Sequence, residues 1–156
     1  MFKKMVMILV LGIGSAAKAS SIATPGIQNL IGRWHFTKII YEGQEMEMPN
    51  PDLKLSMTFF DNQSLRLFWH RGNMMEFCES FSTWSLEEKN SETRLTLNTF
   101  AVNPNNQSDC AKDPDMQIGT KPSVLIWVDS GSLMMSIMLS DQNLIYVFEQ
   151  TPKESL

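Results

Sequence analysis

The sequence is poor in the residues that most often carry chemistry. It contains two histidines and two cysteines among 156 residues, and these four do not follow the spacing of a zinc site. It has no glycine-rich phosphate-binding motif. His35 and His70 stand in no nucleophile–base motif and are interpreted as solvated strand residues. The sequence therefore predicts no catalytic residue, no metal site and no cofactor, and we expect a protein that is not an enzyme.

Long hydrophobic runs are absent except for a short one at the N-terminus. Lys3 and Lys4 precede an apolar run over residues 5–13, and small residues ending in Ala17-Lys18-Ala19 follow it. This is the order of a secretory signal, and the run is far shorter than the roughly 20 residues that span a bilayer. No cysteine stands at the cleavage point. We therefore expect a signal peptide over residues 1–19, one domain over residues 20–156, export to the periplasm or medium, and no stable membrane anchor.

Basic residues are scarce in the expected mature chain. The full sequence has 13 basic and 17 acidic residues, and loss of the three leader lysines leaves 10 basic ones, a formal net charge of −7. An acidic chain without a basic run is a poor partner for nucleic acid or an anionic membrane surface. The acidic excess favours a solvated surface, and it indicates no particular oligomeric state.

The two cysteines allow one intramolecular disulfide. Export makes a bond between Cys78 and Cys110 chemically permitted, and it would close a loop of about 32 residues. We expect this bond, which would attach a polar, proline-containing loop over residues 103–122 to the strand that carries Cys78. The alternative is two buried free thiols.

Short strand-like segments separated by turns fill most of the chain after residue 33. Residues 53–59 alternate strictly between apolar and polar, which is typical of a half-buried strand. The segment 74–86 holds two phases of alternation, which predicts a bulge near residues 80–83. The only helical candidate lies near residues 27–31. The predicted strands are residues 34–42, 53–59, 65–70, 74–86, 94–102, 124–128, 133–139 and 144–149.

Strands that follow one another through short turns favour an antiparallel meander. A meander of this length must hide its edges, and rolling up into a barrel does so. The last strands carry apolar residues on both faces, which an open sheet with one wet face would not need. The predicted fold is all-β, an up-and-down meander that closes into a barrel of about eight strands.

The segment over residues 29–36 resembles the opening of the lipocalin-like (calycin) barrels. In that family a short helical turn leads into a Gly-x-Trp motif, and Gly32 and Trp34 match it. The resemblance implies that Trp34 closes one end of an eight-stranded barrel, which binds a small apolar molecule or has a filled interior and a structural role. In the better-defined lipocalins an arginine near the last strand packs across the tryptophan. This chain has no arginine after Arg94, which favours a looser relative.

These observations predict an exported barrel whose expected partner is a small hydrophobic ligand held inside. The alternative is a filled barrel or a sandwich that acts as an envelope structural or protein-interaction module. Methionine is interpreted as filler or lining of the interior rather than as a metal ligand. The residues predicted to line the interior are Met57, Phe59, Leu67, Trp69, Leu97, Met135, Ile137, Tyr146 and Phe148.

Overall fold

The computed structural model describes residues 26–46, 50–139 and 141–152. The predicted signal peptide, residues 1–19, lies outside these ranges. The described residues contain one short α-helix, ten strands and two 3-10 helices. In chain order these are α1 (Ile27–Leu30), β1 (Gly32–Tyr41), β2 (Gln44–Met46), β3 (Leu53–Phe59), β4 (Ser64–Arg71), β5 (Asn73–Lys89), β6 (Glu92–Val102), the 3-10 helices Ser108–Lys112 and Pro114–Met116, β7 (Gly119–Thr120), β8 (Val124–Asp129), β9 (Ser132–Leu139) and β10 (Gln142–Gln150).

Eight of the strands form a closed antiparallel barrel. The order around it is β1, β3, β4, β5, β6, β8, β9 and β10, and β10 returns to pair with β1. The two short strands lie off this ring, β2 beside β1 and β7 beside β6. The predicted meander, its closure and all eight predicted strands are confirmed, whereas β2 and β7 were not predicted.

Two breaks in register shape the barrel. The predicted bulge in β5 is wrong, because Cys78, Ser80, Ser82 and Trp84 are all buried and keep a single phase along the strand. The pairing of β5 with β6 does shift between Phe81 and Ser82, but the extra residue is Phe100 of β6. A second shift falls in β1, where Phe36 pairs with Phe148 but Lys38 pairs with Val147. A bulge bends its strand and increases the local twist. β1 therefore changes direction near Thr37, partway along its length.

We call the end of the barrel at which β1 begins the closed end. There the helix α1 leads into Trp34, which is 2 % exposed, and the indole Nε1 donates a hydrogen bond to the Leu30 carbonyl at 2.8 Å. Trp84 and Phe59 pack edge to face beside it, with their ring centroids 5.5 Å apart. The described structure thus places Trp34 where the family resemblance implied.

Gly32 is required at this end for two reasons. Its φ of +131° lies in a region that L side chains rarely adopt, and a Cβ there would stand 2.7 Å from Nε2 of Gln150. The same Nε2 donates to the Ile31 carbonyl at 3.0 Å. Gln150 of β10 therefore holds the residues that precede β1 in place through this hydrogen bond.

We call the opposite end the loop end, and we call residues 103–123, which cross it, the capping segment. A disulfide joins Cys110 of this segment to Cys78 of β5, with the Cα atoms 5.6 Å apart, as the sequence predicted. Both cysteines and Met116 are buried in the core cluster. The predicted long loop is thus tethered, but much of it is ordered into two 3-10 helices and the strand β7 rather than being irregular.

Candidate functional site

The nine residues predicted to line the interior all lie in the core of the barrel. Met57, Phe59, Leu67, Met135 and Phe148 are buried members of the core cluster. The other four pack against that cluster and are only partly buried, namely Trp69, Leu97, Ile137 and Tyr146. Met135 is buried whereas Met138 is 64 % exposed, so these two methionines lie on opposite faces of β9.

The partly buried residues among these nine lie mainly toward the loop end. Trp69 lies two residues before the end of β4, and the Leu97 carbonyl accepts a hydrogen bond from the backbone of Lys121 in the capping segment. Ile137 lies two residues before the end of β9. The closed end differs, because Leu30, Phe59, Leu65, Leu133 and Phe148 are each at most 2 % exposed. Solvent thus reaches predicted lining residues toward the loop end, although Ile31, Leu86 and Val128 at the closed end are also only partly buried.

The inward face of β5 is built from small residues beneath the capping segment. Cys78, Ser80 and Ser82 are all buried, and the Ser80 hydroxyl donates to the Asp115 carbonyl at 3.2 Å. The hydroxyls of Ser82 and Thr99 bond to each other at 3.0 Å. Small side chains on β5 leave space that the disulfide and Met116 occupy.

A polar pair marks the loop end of the interior. Burial, and then the carboxylate of Asp115, raise the pKa of Tyr146 above its ordinary value. The pKa of Asp115 is also raised above its ordinary value. The main cause is loss of water around its carboxyl, and repulsion from the Asp113 carboxylate adds to it. The Lys121 ammonium acts in the opposite direction and lowers the pKa of Asp115. The phenol of Tyr146 is therefore neutral at physiological pH and can donate a hydrogen bond.

The wall of the barrel opens between β1 and β3. These strands pair only from Gly32 opposite Phe59 to His35 opposite Ser56. Beyond the shift at Thr37, β1 pairs with β2 instead, from Ile39 onward. In the described ladders, the first residues of β3 therefore pair with β4 alone. A gap in pairing leaves backbone and side chains of a barrel wall accessible from the side.

A groove of about 460 Å³ lies at this gap. We call it the lateral groove. The exposed side chains of Arg33 and Lys54 form its rim, and buried Ser56 lies at its base. Its full lining is Arg33, His35, Phe36, Lys54, Leu55, Ser56, Phe68 and His70.

The lateral groove brings together both histidines of the chain. His35 lies across from Ser56, and His70 lies across from Lys54 on the neighbouring ladder. Both lie on strands, as predicted, and each is half-buried, so their contact with solvent is partial. Nδ1 of His70 is buried without a hydrogen-bond partner in the described structure. Burial, and then the charge of Arg33, lower the pKa of His35, so its neutral form is favoured.

The described contacts of these histidines do not form a catalytic array. Ser56 makes no side-chain hydrogen bond to either imidazole among the described residues, and no carboxylate of those residues lines the groove to orient a base. The two cysteines are joined in a disulfide, so neither is available as a thiolate ligand. What the groove offers is two cations, two imidazoles and an aromatic surface.

Sequence reasoning did not anticipate the lateral groove. Arg33, Lys54 and Phe68 come from three strands, and they meet only because β1 leaves β3 after four paired residues. The alternation of polar and apolar residues does place His35 and Arg33 on the outer face, opposite Trp34. The register shift at Thr37, which creates the gap, leaves no comparable pattern in the sequence of β1.

In the described part of the chain, no helix has the length and apolar composition that crossing a membrane would require. Comparisons of the whole chain with protein-family models, with curated proteins and with solved structures each found no match. The likeness to calycin barrels accordingly consists of the eight-stranded closed barrel, the short helix before β1, and the positions of Gly32 and Trp34.

Proposed function

We propose that this chain is an exported, lipocalin-like binding protein, not an enzyme, and that it holds a small hydrophobic molecule in the barrel interior near the loop end. The observation that carries the proposal is the partial exposure of Trp69, Leu97, Ile137 and Tyr146, all of which pack against the core. Apolar interior side chains that remain open to solvent are what an apolar ligand would cover.

The surroundings of these residues suit a ligand site. The interior near them contains the flexible side chain of Met116, which can adjust around a ligand. The neutral phenol of Tyr146 offers one polar contact among apolar ones, which is the usual composition of small-molecule sites. The disulfide is typical of proteins that mature outside the cytoplasm, in agreement with export.

Titration of the exported, oxidised protein with 1-decanol and with N-phenylnaphthylamine, both uncharged, tests the proposal. Binding should change tryptophan fluorescence and raise the melting temperature by roughly 3–6 °C at ten times the dissociation constant. We expect Trp69→Phe to remove most of the fluorescence change. Trp127→Phe should retain it, because Trp127 lies outside the core cluster on the alternate face of β8.

A blocking variant locates the ligand. Ile137→Trp should fill the interior near the loop end and weaken binding by at least about tenfold, whereas Met138→Trp, one residue away and exposed, should not. Circular dichroism confirms that both variants fold. An absence of binding by both probes, or equal binding by the two variants, would contradict an interior site and leave the filled barrel that acts through its surface.

A further inference from the structure

The lateral groove concentrates positive charge on a protein whose formal net charge is −4. Arg33 and Lys54 stand at its rim, and neither forms an ion pair among the described residues. The two arginines of β4 differ, because Arg71 forms no ion pair among the described residues and lies over the Trp69 ring, whereas Arg66 is already neutralised. Arg66, over the face of Phe68, pairs with the buried carboxylate of Glu79. The groove is therefore a place where an anionic group would gain favourable contacts.

The capping segment has the opposite electrostatic character. Asp113 caps the second 3-10 helix and Asp115 lies on it, and each raises the cost of a further negative charge there. Cations also lie at this end of the barrel. The Lys121 ammonium donates to the Pro114 carbonyl at 2.7 Å, and the Arg71 guanidinium lies over the Trp69 ring, 5.3 Å from its centroid. An anionic ligand is thus disfavoured beside the capping segment and favoured at the gap between β1 and β3.

Two side chains that line the lateral groove also contact the core. Phe36 and Leu55 line the groove, and both also pack against the core cluster. Phe36 stacks on Tyr146 with ring centroids 5.0 Å apart, and Leu55 pairs with Trp69 across the ladder. The same two side chains therefore separate the groove from two residues of the proposed interior site.

We propose that the lateral groove holds the anionic head of an amphiphilic ligand, and that the apolar chain of this ligand passes between Phe36 and Leu55 into the interior. Arg33 and Lys54 contact the head, and the chain covers Trp69 and Tyr146. This inference rests on the proposed function and specifies the ligand class: a small carboxylate with an unbranched apolar chain. A volume of about 460 Å³ is within the range of small-molecule sites.

The test compares ligands that differ only in the head or only in the chain. Decanoate, 1-decanol and acetate are titrated into the oxidised protein by calorimetry at low ionic strength. The head-group variant is Arg33→Gln with Lys54→Gln. Its matched control is Arg94→Gln with Lys89→Gln, which removes the same charges from the β5–β6 hairpin, away from the groove.

We expect decanoate to bind at least about tenfold more tightly than decanol, and acetate not to bind measurably. The head-group variant should reduce decanoate affinity to that of decanol and leave decanol unchanged, and the control should keep the tenfold difference. If decanol binds, but decanoate binds no more tightly and the head-group variant has no effect, the proposed function stands and the inference of an anionic head group is overturned. If neither decanol nor decanoate binds, the proposed function and this inference are both overturned. Acetate binding as tightly as decanoate would show an anion site without a chain site, and would likewise overturn it.

Discussion

The two ends of the barrel are closed by different means. At the closed end, large side chains from the strands meet a helix that directly precedes β1, so the closure is built from residues close to the strand starts. At the loop end, closure depends on the capping segment, which is held by Cys110 and Met116. Trp69 and Ile137 remain partly exposed there, whereas at the closed end partly buried residues such as Leu86 and Val128 accompany several side chains that are almost fully buried.

This difference suggests that one end of the barrel contributes most to folding stability and the other end to ligand binding. Fully buried aromatic residues contribute most of the apolar burial that stabilises a small domain. A tethered segment over partly exposed side chains contributes less and can adjust around a ligand. The closed end should therefore behave as the structural core, and the loop end with the lateral groove as the binding region.

The sharpest way to break this comparison is to truncate one tryptophan at each end. Trp34→Ala removes a buried ring and the hydrogen bond to Leu30, and should lower the free energy of unfolding by about 3–5 kcal/mol. Trp69→Ala removes a partly exposed ring, and should cost roughly half as much. Urea unfolding followed by circular dichroism measures both. Equal losses would mean that the two ends contribute alike.

The next largest effect should come from releasing the capping segment. Replacing Cys78 and Cys110 together by alanine should lower the free energy of unfolding by about 3–4 kcal/mol, the loop-closure entropy of a loop with 32 residues of separation. Amide exchange should quicken most in the capping segment, for example at Met116, whose amide donates to the Asp113 carbonyl. Uniform acceleration that includes the closed end would show that the two ends unfold as one unit.

The sequence predicted the strands of the barrel better than it predicted the candidate functional site. Strict alternation over residues 53–59 matches the bounds of β3. Such patterns work because burial repeats every second residue along a strand. The lone cysteine pair likewise left a single intramolecular pairing to consider. The change of phase read in the β5 segment predicted a bulge in the wrong strand, because the extra residue lies in β6.

The lateral groove could not be predicted in this way, because it depends on which strands stop pairing. The composition of residues 34–42 is typical of one continuous strand. It contains no pattern that predicts the register shift at Thr37 or the pairing of β1 with β2. Burial of His35 and His70 follows from that geometry and from neighbours such as Phe68, which are distant in sequence. Single-strand periodicity carries no information on such contacts.

A smaller effect tests the closed end at its backbone. Gly32→Ala should cost about 1–3 kcal/mol, because it combines an unfavourable φ with a contact to Gln150. Gly119→Ala is the control, since its φ of +117° is close to that of Gly32 but nothing lies within 4 Å of the added Cβ. Adding Gln150→Ala to Gly32→Ala should recover the contact part of the loss only. If the two glycine variants lose the same free energy in urea, the close approach of β10 contributes nothing.

The smallest effect concerns the polar pair at the loop end. In a Tyr41→Phe background, Tyr146 is the only tyrosine, and its ionisation can be followed by absorbance at 295 nm. Asp115→Asn should lower the pKa of Tyr146, but burial, the larger cause, should keep it above 10.0. A raised pKa in the folded state means that the neutral phenol stabilises the fold below pH 10, and that this contribution is lost as the pH rises through the folded pKa. The decline in stability above pH 10 should therefore be smaller in Asp115→Asn. A Tyr146 pKa that does not respond to this substitution would place the Asp115 carboxylate away from the phenol, and would remove the acidic character that distinguishes the loop end from the lateral groove.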